Sequence, residues 1–347
     1  MKKIICVLII VFLMLANNSE IYAESKLQLN AKNAILYDRK CKRILYEKNA
    51  FDRVPNASTT KILTAIVVVE NCDVNEIVEI GQNAINVIGS KVKFRRGDKI
   101  TVNDLLNGML LCSGNDAAIA LAEHVSGSVE QFCILMNQKA KKIGAKNTNF
   151  LSPHGLDTEN HYSTAYDLAI IADYALSNKY LANIFSKKTE TIYINQIARN
   201  ISTTNEMLHV YPTANGVKTG FTNNAGRCLV TSATNNDEWQ LISVVLGCDT
   251  KNFRTQDSQK LLNYGFQNFK LVNIGEVLPK KVLFEVNKSV EEIFKIDINY
   301  YYEYPLTEEE IKNLHYKEYK TLLFEAPVKE NTEIVRYEIY SRRNENN

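Results

Sequence analysis

The stretch PNASTTKILTAIVVVE, residues 55–70, places a serine and a lysine three positions apart, directly before a long apolar run. A run of this length that is apolar nearly all round favours a helix buried inside a large domain. Residues three apart lie on one face of a helix, so Ser58 and Lys61 would be within reach of each other. We therefore expect Ser58 at the amino end of a buried helix, with Lys61 one turn further on.

This spacing suits a serine nucleophile with its own base. A serine hydroxyl attacks efficiently only when a base takes its proton, and Lys61 can do so only as a neutral amine. Burial and a neighbouring cation both lower the pKa of a lysine, and Lys218 is the candidate cation. General-base catalysis of this kind accelerates a reaction roughly 10²–10⁴-fold. A second copy of the spacing, Ser90 to Lys93, lacks an apolar helix after it and is predicted to be a solvated strand or turn.

Two further strings follow in the chain. Ser113-Gly114-Asn115 interrupts two predicted helices and supplies a hydroxyl and an amide, while Lys218-Thr219-Gly220 supplies a cation and a hydroxyl on a predicted strand. Either string alone would be only an interhelical turn or a strand end. The ordered set of three is typical of enzymes that acylate a serine with an amide or a β-lactam.

The rest of the sequence predicts both strands and helices, and mainly strands beyond about residue 271. Turn residues and alternating apolar positions mark the strands, and periodic apolar positions mark the helices. We predict helices at 61–70, 101–125 with a break at 113–115, 129–142, 164–175 and 254–269. We predict strands at 33–37, 44–47, 227–234, 239–247, 282–286, 296–304, 321–325 and 334–340.

The amino terminus has the pattern of a secretory signal. Lys2 and Lys3 precede an apolar run at 4–16, and Ala23 is a small residue at a plausible cleavage point. The run is short of the roughly 20 apolar residues that span a bilayer comfortably. We predict a signal peptide at 1–23 cleaved near Ala23, with a short uncleaved anchor as the alternative. Either way, the rest of the chain would lie outside the cytoplasm, secreted or associated with the wall or membrane.

Composition excludes some classes of partner and of site. The formal net charge of +2 gives no reason to expect nucleic acid or an acidic polymer as a partner. Six cysteines remain after the signal, with neither C-x-x-C spacing nor the density of a disulfide scaffold. We expect them to be unpaired and mostly in the core.

The chain resembles the serine-type D-alanyl-D-alanine carboxypeptidases, low-molecular-mass penicillin-binding proteins of peptidase family S11. The matching stretches are 55–61, 109–124, 149–169 and 216–233. The resemblance implies an α+β fold: a β-lactamase/transpeptidase-like domain at 24–270, with an antiparallel sheet flanked by helices, and a small C-terminal all-β domain at 271–347. It also implies hydrolysis of the terminal D-alanine from peptidoglycan stem pentapeptides, inhibition by β-lactams, and no cofactor or metal.

The resemblance assigns roles to nine residues. Ser58 becomes acylated, Lys61 takes its proton, and Ser113 relays a proton to the departing D-alanine. The backbone N–H groups of Ser58 and Phe221 would hold the oxyanion, and each such donor is typically worth roughly 3–4 kcal/mol. The residues that would bind substrate are Asn115, Lys218, Thr219, Gly220, Phe221 and Arg254. An amphipathic membrane helix, usual at the end of such enzymes, is not supported by the polar tail at 341–347.

Other hydrolases and a non-catalytic protein are the alternatives. A DD-endopeptidase of the same family would use the same site. A class A β-lactamase would need a Glu-x-x-Leu-Asn string between the second and third motifs, and none is present. A non-catalytic wall-binding protein would have lost Ser58, Lys61 or Lys218. The tyrosines at 300–304 are expected to pack in a strand, with a glycan-binding surface as the alternative.

The histidines do not predict a metallopeptidase. His154 and His161 lack dependable ligand spacing and are expected to be structural or hydrogen-bonding loop residues. His124, His209 and His315 are isolated along the sequence.

Overall fold

In a computed structural model, the described residues are 7–11, 27–291, 293–321 and 323–341. They belong to two compact units, one comprising Leu27–Gly265 and the other the described residues from Phe266 onward with Val7–Val11. The predicted signal peptide lies outside the described residues apart from Val7–Val11, and so does the tail after Ser341. None of the described helices has the length and apolar character needed to cross a membrane.

The helices are α1 (Lys61–Asn71), α2 (Gln82–Asn86), α3 (Val102–Leu111), α4 (Asn115–Ser126), α5 (Val129–Lys142), α6 (Ala165–Ser177), α7 (Lys179–Ser186), α8 (Met207–Val210), α9 (Lys251–Asn268) and α10 (Glu308–Lys312). The strands are β1 (Val7–Val11), β2 (Asn33–Asp38), β3 (Ile44–Lys48), β4 (Ile77–Glu79), β5 (Lys99–Thr101), β6 (Thr189–Ile194), β7 (Ile197–Ser202), β8 (Ala214–Thr222), β9 (Gly226–Thr234), β10 (Gln240–Cys248), β11 (Lys270–Asn273), β12 (Lys281–Asn287), β13 (Ile293–Asp297), β14 (Glu303–Leu306), β15 (Leu314–Lys320), β16 (Leu323–Glu325) and β17 (Glu333–Ser341).

The first unit is built on a five-stranded antiparallel sheet in the order β3-β2-β10-β9-β8. The middle strands are buried along most of their length, because helices cover both faces. Helix α9 packs closely on one face, where an added Cβ at Gly265 would lie 2.6 Å from Leu241 and 2.7 Å from Leu36. Strand β8, which carries the third motif, stands at one edge of this sheet.

Helix α1 lies inside the unit, as its apolar sequence predicts, with every side chain from Lys61 to Val68 buried. Several of the surrounding helices begin at a capping side chain. Thr101, Ser128 and Thr164 each accept a hydrogen bond from the backbone N–H three residues later. These caps satisfy helix N–H groups that have no partner within the helix, and so fix where α3, α5 and α6 begin.

The second unit consists of short strands. Strand β12 pairs with β13 and β16, β11 pairs with β14, and β17 lies between β1 and β15. The predicted single strand at 296–304 is wrong, because β13 and β14 belong to different sheets. Tyr302 lies between these two strands, and its N–H donates to the side chain of Asn273, which also accepts from the Gly275 N–H.

The division at 270/271 into two domains stays a prediction. The other predicted helices and strands are present, with ends that differ by up to three residues. None of the six cysteines among the described residues is in a disulfide. Cys133, Cys228 and Cys248 lie in the core. The others, Cys41, Cys72 and Cys112, are only half-buried, so the prediction of core positions is wrong for these three.

Candidate active site

The nucleophile segment is a single turn of 3-10 helix, Ala57–Thr60, that leads directly into α1 at Lys61. The buried Asn56 side chain donates hydrogen bonds to the hydroxyl oxygens of Thr59 and Thr60, at 3.1 and 2.9 Å. These bonds fix the turn on its buried side, and Ser58 is half-exposed on the other side. Ser58 therefore lies at the amino end of the buried helix, as the sequence predicts.

The amine of Lys61 is fully buried and lies 2.8 Å from Ser58 Oγ. It also donates hydrogen bonds to Asn115 Oδ1 at 2.8 Å and to the His154 backbone carbonyl at 2.9 Å. A neutral amine has two N–H groups and one lone pair. The two carbonyl oxygens can accept both N–H groups, which leaves the lone pair for the Ser58 hydroxyl proton.

Electrostatics favour the neutral form of this amine. Burial lowers the pKa of Lys61 well below its usual value, and the positive charge of Lys218 lowers it further. The buried carboxylate of Asp116 acts in the opposite direction but is a smaller effect. The structure therefore supplies both influences that the sequence suggested, desolvation and a neighbouring cation.

The second motif lies at the tight connection between α3 and α4. Ser113 is buried and has a left-handed backbone, with φ of 60°. Its hydroxyl makes no hydrogen bond to any described residue, whereas the Asn115 amide is held on both sides. Asn115 Oδ1 accepts from Lys61, and its Nδ2 donates to the Ile88 carbonyl at 2.7 Å.

Asp116 is a site-building residue that sequence reasoning missed. Its buried carboxylate accepts backbone hydrogen bonds from Val92 at 2.9 Å and from Lys93 at 2.7 Å. The second S-x-x-K copy is thus neither a strand nor wholly solvated, because Val92 is buried and its backbone is bound to the first turn of α4. The sequence did contain a signal for it: Asp116 directly follows the Ser113-Gly114-Asn115 motif, and acidic residues are favoured in the first turn of a helix.

The third motif runs along β8 against the nucleophile turn. A Cβ added to Gly220 would lie 3.1 Å from both Ala57 Cβ and the Ser58 backbone nitrogen. On another side of the turn, a Cβ at Gly155 would come within 1.9 Å of the Ala57 carbonyl oxygen. Gly155 therefore permits a backbone approach that any side chain would block, and a side chain at Gly220 would force its neighbours to shift by a few tenths of an ångström. The two glycines enclose the Ser58 turn between the edge strand and the 152–156 loop.

These observations bring all three motifs to one site around the buried amine of Lys61. Residues 20–250 match the D-alanyl-D-alanine carboxypeptidase family, Peptidase S11. The chain belongs to this family. D-alanyl-D-alanine carboxypeptidase DacF of Bacillus subtilis is 35% identical over 282 residues, which is 78% of this chain and 72% of the relative.

Two solved structures agree with the family assignment. Penicillin-binding protein 5 from Haemophilus influenzae has a TM-score of 0.76 at 32% identity, covering 89% of this chain and 93% of that one. The Streptomyces K15 DD-transpeptidase has a TM-score of 0.66 at 32% identity, covering 69% of this chain and 98% of that one. The predicted α+β transpeptidase-like fold with a β-rich C-terminal region is confirmed.

The predicted enzyme class is also confirmed: this is a serine-type D-Ala-D-Ala carboxypeptidase of family S11, a penicillin-binding protein. Family S11 carboxypeptidases work outside the cytoplasm, on peptidoglycan peptides that end in D-Ala-D-Ala. The family does not by itself fix the roles of individual residues.

In this S11 carboxypeptidase, Lys218 is almost completely buried on β8, and its amine donates to the Thr219 carbonyl at 3.1 Å. Burial and the nearby charge of Arg254 lower the pKa of Lys218 to about 7. The Thr219 hydroxyl lies 2.7 Å from that of Thr204. A buried amine with a single hydrogen bond among the described residues retains N–H groups for an incoming anion.

Arg254 comes from the first turns of α9 and is also buried, so its predicted place at the start of this helix is confirmed. It forms an ion pair with Glu206, a partner that sequence reasoning missed. Its Nε is buried and has no hydrogen-bond partner among the described residues. Arg254 therefore adds positive charge next to Lys218 and retains donor capacity.

Phe221 follows the Lys-Thr-Gly string at the end of β8. Its ring is 46% exposed, and the Arg227 guanidinium lies 3.6 Å from the ring centroid. Because Phe221 follows Gly220, its backbone N–H is close to the part of β8 that packs against Ser58. This placement is compatible with the predicted oxyanion role.

The two loop histidines hold the nucleophile segment. Burial lowers the pKa of His154 to about 3 and of His161 to about 4, so both are neutral at physiological pH. His161 Nε2 lies 3.0 Å from the Thr60 hydroxyl, and its Nδ1 accepts from the Leu151 N–H at 3.1 Å. His154 contributes through its backbone carbonyl oxygen, which accepts a hydrogen bond from the Lys61 amine. A backbone atom has no signature in a sequence pattern, so this contact could not have been predicted.

Proposed function

We propose that this protein removes the terminal D-alanine from peptidoglycan stem pentapeptides through an acyl-enzyme on Ser58. The observation that carries the proposal is the setting of Lys61. Its buried amine contacts Ser58 Oγ at 2.8 Å while two carbonyl oxygens accept its N–H groups. That arrangement fits a base poised to take the serine proton, and it requires no metal.

Acylation would proceed by attack of Ser58 Oγ on the carbonyl carbon of the penultimate D-alanine. The Ser58 proton moves to Lys61, and the oxyanion accepts hydrogen bonds from the backbone N–H groups of Ser58 and Phe221. The C–N bond then breaks, and the proton now on Lys61 passes through the Ser113 hydroxyl to the amine of the departing D-alanine, which leaves Lys61 neutral again. Ser113 suits this step because its hydroxyl is bound to no other described residue.

Substrate binding would rely on positive charge on β8 and α9. The terminal carboxylate of the peptide lies against Lys218, Thr219 and Arg254, whose N–H and O–H groups can donate to it. The absence of a side chain at Gly220 lets the peptide backbone lie along β8. The Asn115 amide, fixed by Lys61 and Ile88, would hold a substrate amide.

Water then attacks the acyl-enzyme carbonyl and gives a proton to the neutral Lys61. The bond between the carbonyl carbon and Ser58 Oγ breaks, Lys61 returns the proton to Ser58 Oγ, and the shortened peptide leaves. Penicillins present a strained amide and a carboxylate at similar positions, so they would acylate Ser58 as well. We also propose that the chain reaches this substrate after cleavage of its signal peptide near Ala23.

An amine instead of water as the acyl acceptor is the second candidate, favoured by the likeness to a DD-transpeptidase. The two can be separated by incubating the protein with a pentapeptide ending in D-Ala-D-Ala, with and without an added amino acceptor. Mass spectrometry should show the tetrapeptide as the main product in both cases, with free D-alanine in equal amount. A cross-linked product as the main species would instead assign a transpeptidase.

The same assay tests the metal-independent mechanism. Release of D-alanine should be unchanged by a metal chelator and abolished by prior treatment with penicillin. Loss of turnover on chelation would contradict the proposed mechanism.

A further inference from the structure

A cluster of three potential metal ligands lies at the far ends of two helices that carry the catalytic motifs. Cys72 directly follows α1, Glu76 lies in the turn after it, and His124 is near the end of α4. The Cys72 thiol, a Glu76 carboxylate oxygen and a His124 ring nitrogen all lie within 4.8 Å of one another. Along the sequence His124 looked isolated; the fold brings it to two partners.

We propose that these three side chains bind one Zn²⁺ ion, with water completing a tetrahedral site. Zn²⁺ accepts thiolate, imidazole and carboxylate ligands at about 2.0–2.3 Å, which places neighbouring ligand atoms about 3.3–3.6 Å apart. The His124 and Glu76 atoms are now 2.7 Å apart. Side-chain adjustments of about 1 Å would therefore form the site.

The chemistry of the donors selects the ion. Mg²⁺ and Ca²⁺ need several oxygen ligands, and this cluster offers one carboxylate. A sulfur and an imidazole nitrogen favour Zn²⁺ among the available divalent cations. Cys72 would lose its thiol proton to solvent on binding. The thiolate and the carboxylate then balance the two positive charges of the ion.

The surrounding backbone holds the ligands in place. The second oxygen of Glu76 accepts a hydrogen bond from the Asp73 N–H at 2.8 Å, which leaves one oxygen for the metal. The Glu76 carbonyl accepts from the Val102 N–H at 2.9 Å, and the Cys72 N–H donates to Val68 at 3.0 Å. Glu76 is exposed, so solvent can reach the open fourth position.

The site is separate from the catalytic centre. Lys61 begins α1 and Cys72 follows its end, eleven residues or about 16 Å away at 1.5 Å per residue. An ion held here would connect the end of α1 to the end of α4, the helix that begins with Asn115. Its expected effect is on the stability of this helix pair, while Ser58 remains reactive without it.

Co²⁺ titration of the reduced full-length protein tests the proposal, because Co²⁺ reports its ligands spectroscopically. We expect about one equivalent to bind, a thiolate-to-Co²⁺ charge-transfer band, and displacement of Co²⁺ by Zn²⁺. Cys72→Ser should lose the band. Glu76→Gln and His124→Asn should each weaken the affinity for Co²⁺ by more than about tenfold. Mutation of a residue that only hydrogen-bonds to a metal ligand already lowers metal affinity about 10–100-fold.

Cys41→Ser and His209→Asn are matched controls and should bind as the wild type does. Penicillin labelling of Ser58 shows whether each variant is folded, and Zn²⁺ should raise the melting temperature of the wild type but not of Cys72→Ser. A band that survives in Cys72→Ser, or a folded wild type that does not bind Co²⁺ saturably, would overturn the proposal. Glu76 and His124 would then be an ion pair beside a thiol.

Discussion

Lys61 Nζ lies 2.8 Å from Ser58 Oγ, in a setting where burial and Lys218 both oppose a charge on the amine. A charged ammonium would donate a hydrogen bond to Ser58 and could not take its proton. The neutral amine can, and its two N–H groups already have acceptors. In the proposed mechanism, the reactivity of Ser58 depends on the burial and the Lys218 charge that lower the pKa of Lys61.

Removal of the Ser58 hydroxyl should abolish acylation. Ser58→Ala is expected to form no covalent adduct with a fluorescent penicillin, measured by gel fluorescence and by the mass of the intact protein. Ser186→Ala is the control, since Ser186 is exposed at the end of α7 and outside the site. An adduct on Ser58→Ala would point to a different nucleophile.

The rate of acylation should fall on both sides of an optimum pH. On the acid side, Lys61 gains a proton below its lowered pKa and ceases to be a base. On the alkaline side, Lys218 loses its charge as the pH rises through about 7, which weakens the attraction for a carboxylate. The pH profile of kcat/KM for penicillin acylation reports these groups in the free enzyme.

Lys218→Arg tests directly whether Lys218 causes the decrease in acylation rate at alkaline pH. An arginine stays charged throughout this range, so the decrease above pH 7 should disappear even if the maximal rate is lower. The same alkaline limb in the variant would show that a different group titrates.

Lys218→Met should increase stability and destroy function. In the folded protein Lys218 releases its proton at about pH 7, whereas an unfolded chain retains it up to its usual pKa. The unfolded state thus binds more protons between these values, and stability rises with pH there. Removing the buried amine removes the cost of its lowered pKa and should raise the free energy of unfolding at neutral pH by about 1–4 kcal/mol.

Urea unfolding at neutral and alkaline pH measures this effect. The difference between the two pH values should shrink in Lys218→Met, and penicillin acylation should be strongly slowed. Lys146→Met, which removes an exposed lysine, should leave both quantities near wild type. A less stable Lys218→Met would mean that the amine stabilises its surroundings.

Gly155→Ala should disrupt the nucleophile turn. Its backbone has φ of +83°, and an added Cβ would lie 1.9 Å from the Ala57 carbonyl oxygen, so the loop or the turn must move. Gly97→Ala is a matched control, because Gly97 has φ of +81° and nothing within 4 Å of the added atom. The control should cost about 1 kcal/mol from backbone strain alone.

Thermal unfolding and the penicillin acylation rate should separate the two glycine variants. We expect Gly155→Ala to lose more stability than Gly97→Ala and to acylate at least tenfold more slowly. Equal behaviour of the two variants would show that the 152–156 loop does not constrain Ser58.

The sequence was sufficient for features with a local signature. The three motifs, the buried helix α1 and the β9–β10 hairpin all follow from short patterns of residue type. The hairpin formed by β6 and β7 was missed, because most of its side chains are exposed or half-buried and give no clear alternation. Its turn residues, Asn195 and Gln196, have positive φ without a glycine to signal it.

Long-range contacts account for most of what could not be predicted. The His154 carbonyl reaches Lys61 across 93 residues, and His124 meets Glu76 across 48. Neither pair has a spacing that a sequence pattern would single out. Within the predicted 296–304 strand, the Tyr302 N–H likewise donates to the side chain of Asn273, 29 residues away.

The enclosed position of the Ser58 turn gives an antibiotic a second use as a conformational probe. If Ser58 is the nucleophile, we expect it to react only when the edge strand, the 152–156 loop and both motif-bearing helices are assembled around it. A fluorescent penicillin added during refolding would thus count only molecules with native tertiary structure in this unit. The same reagent could rank destabilised variants by the fraction that remains native.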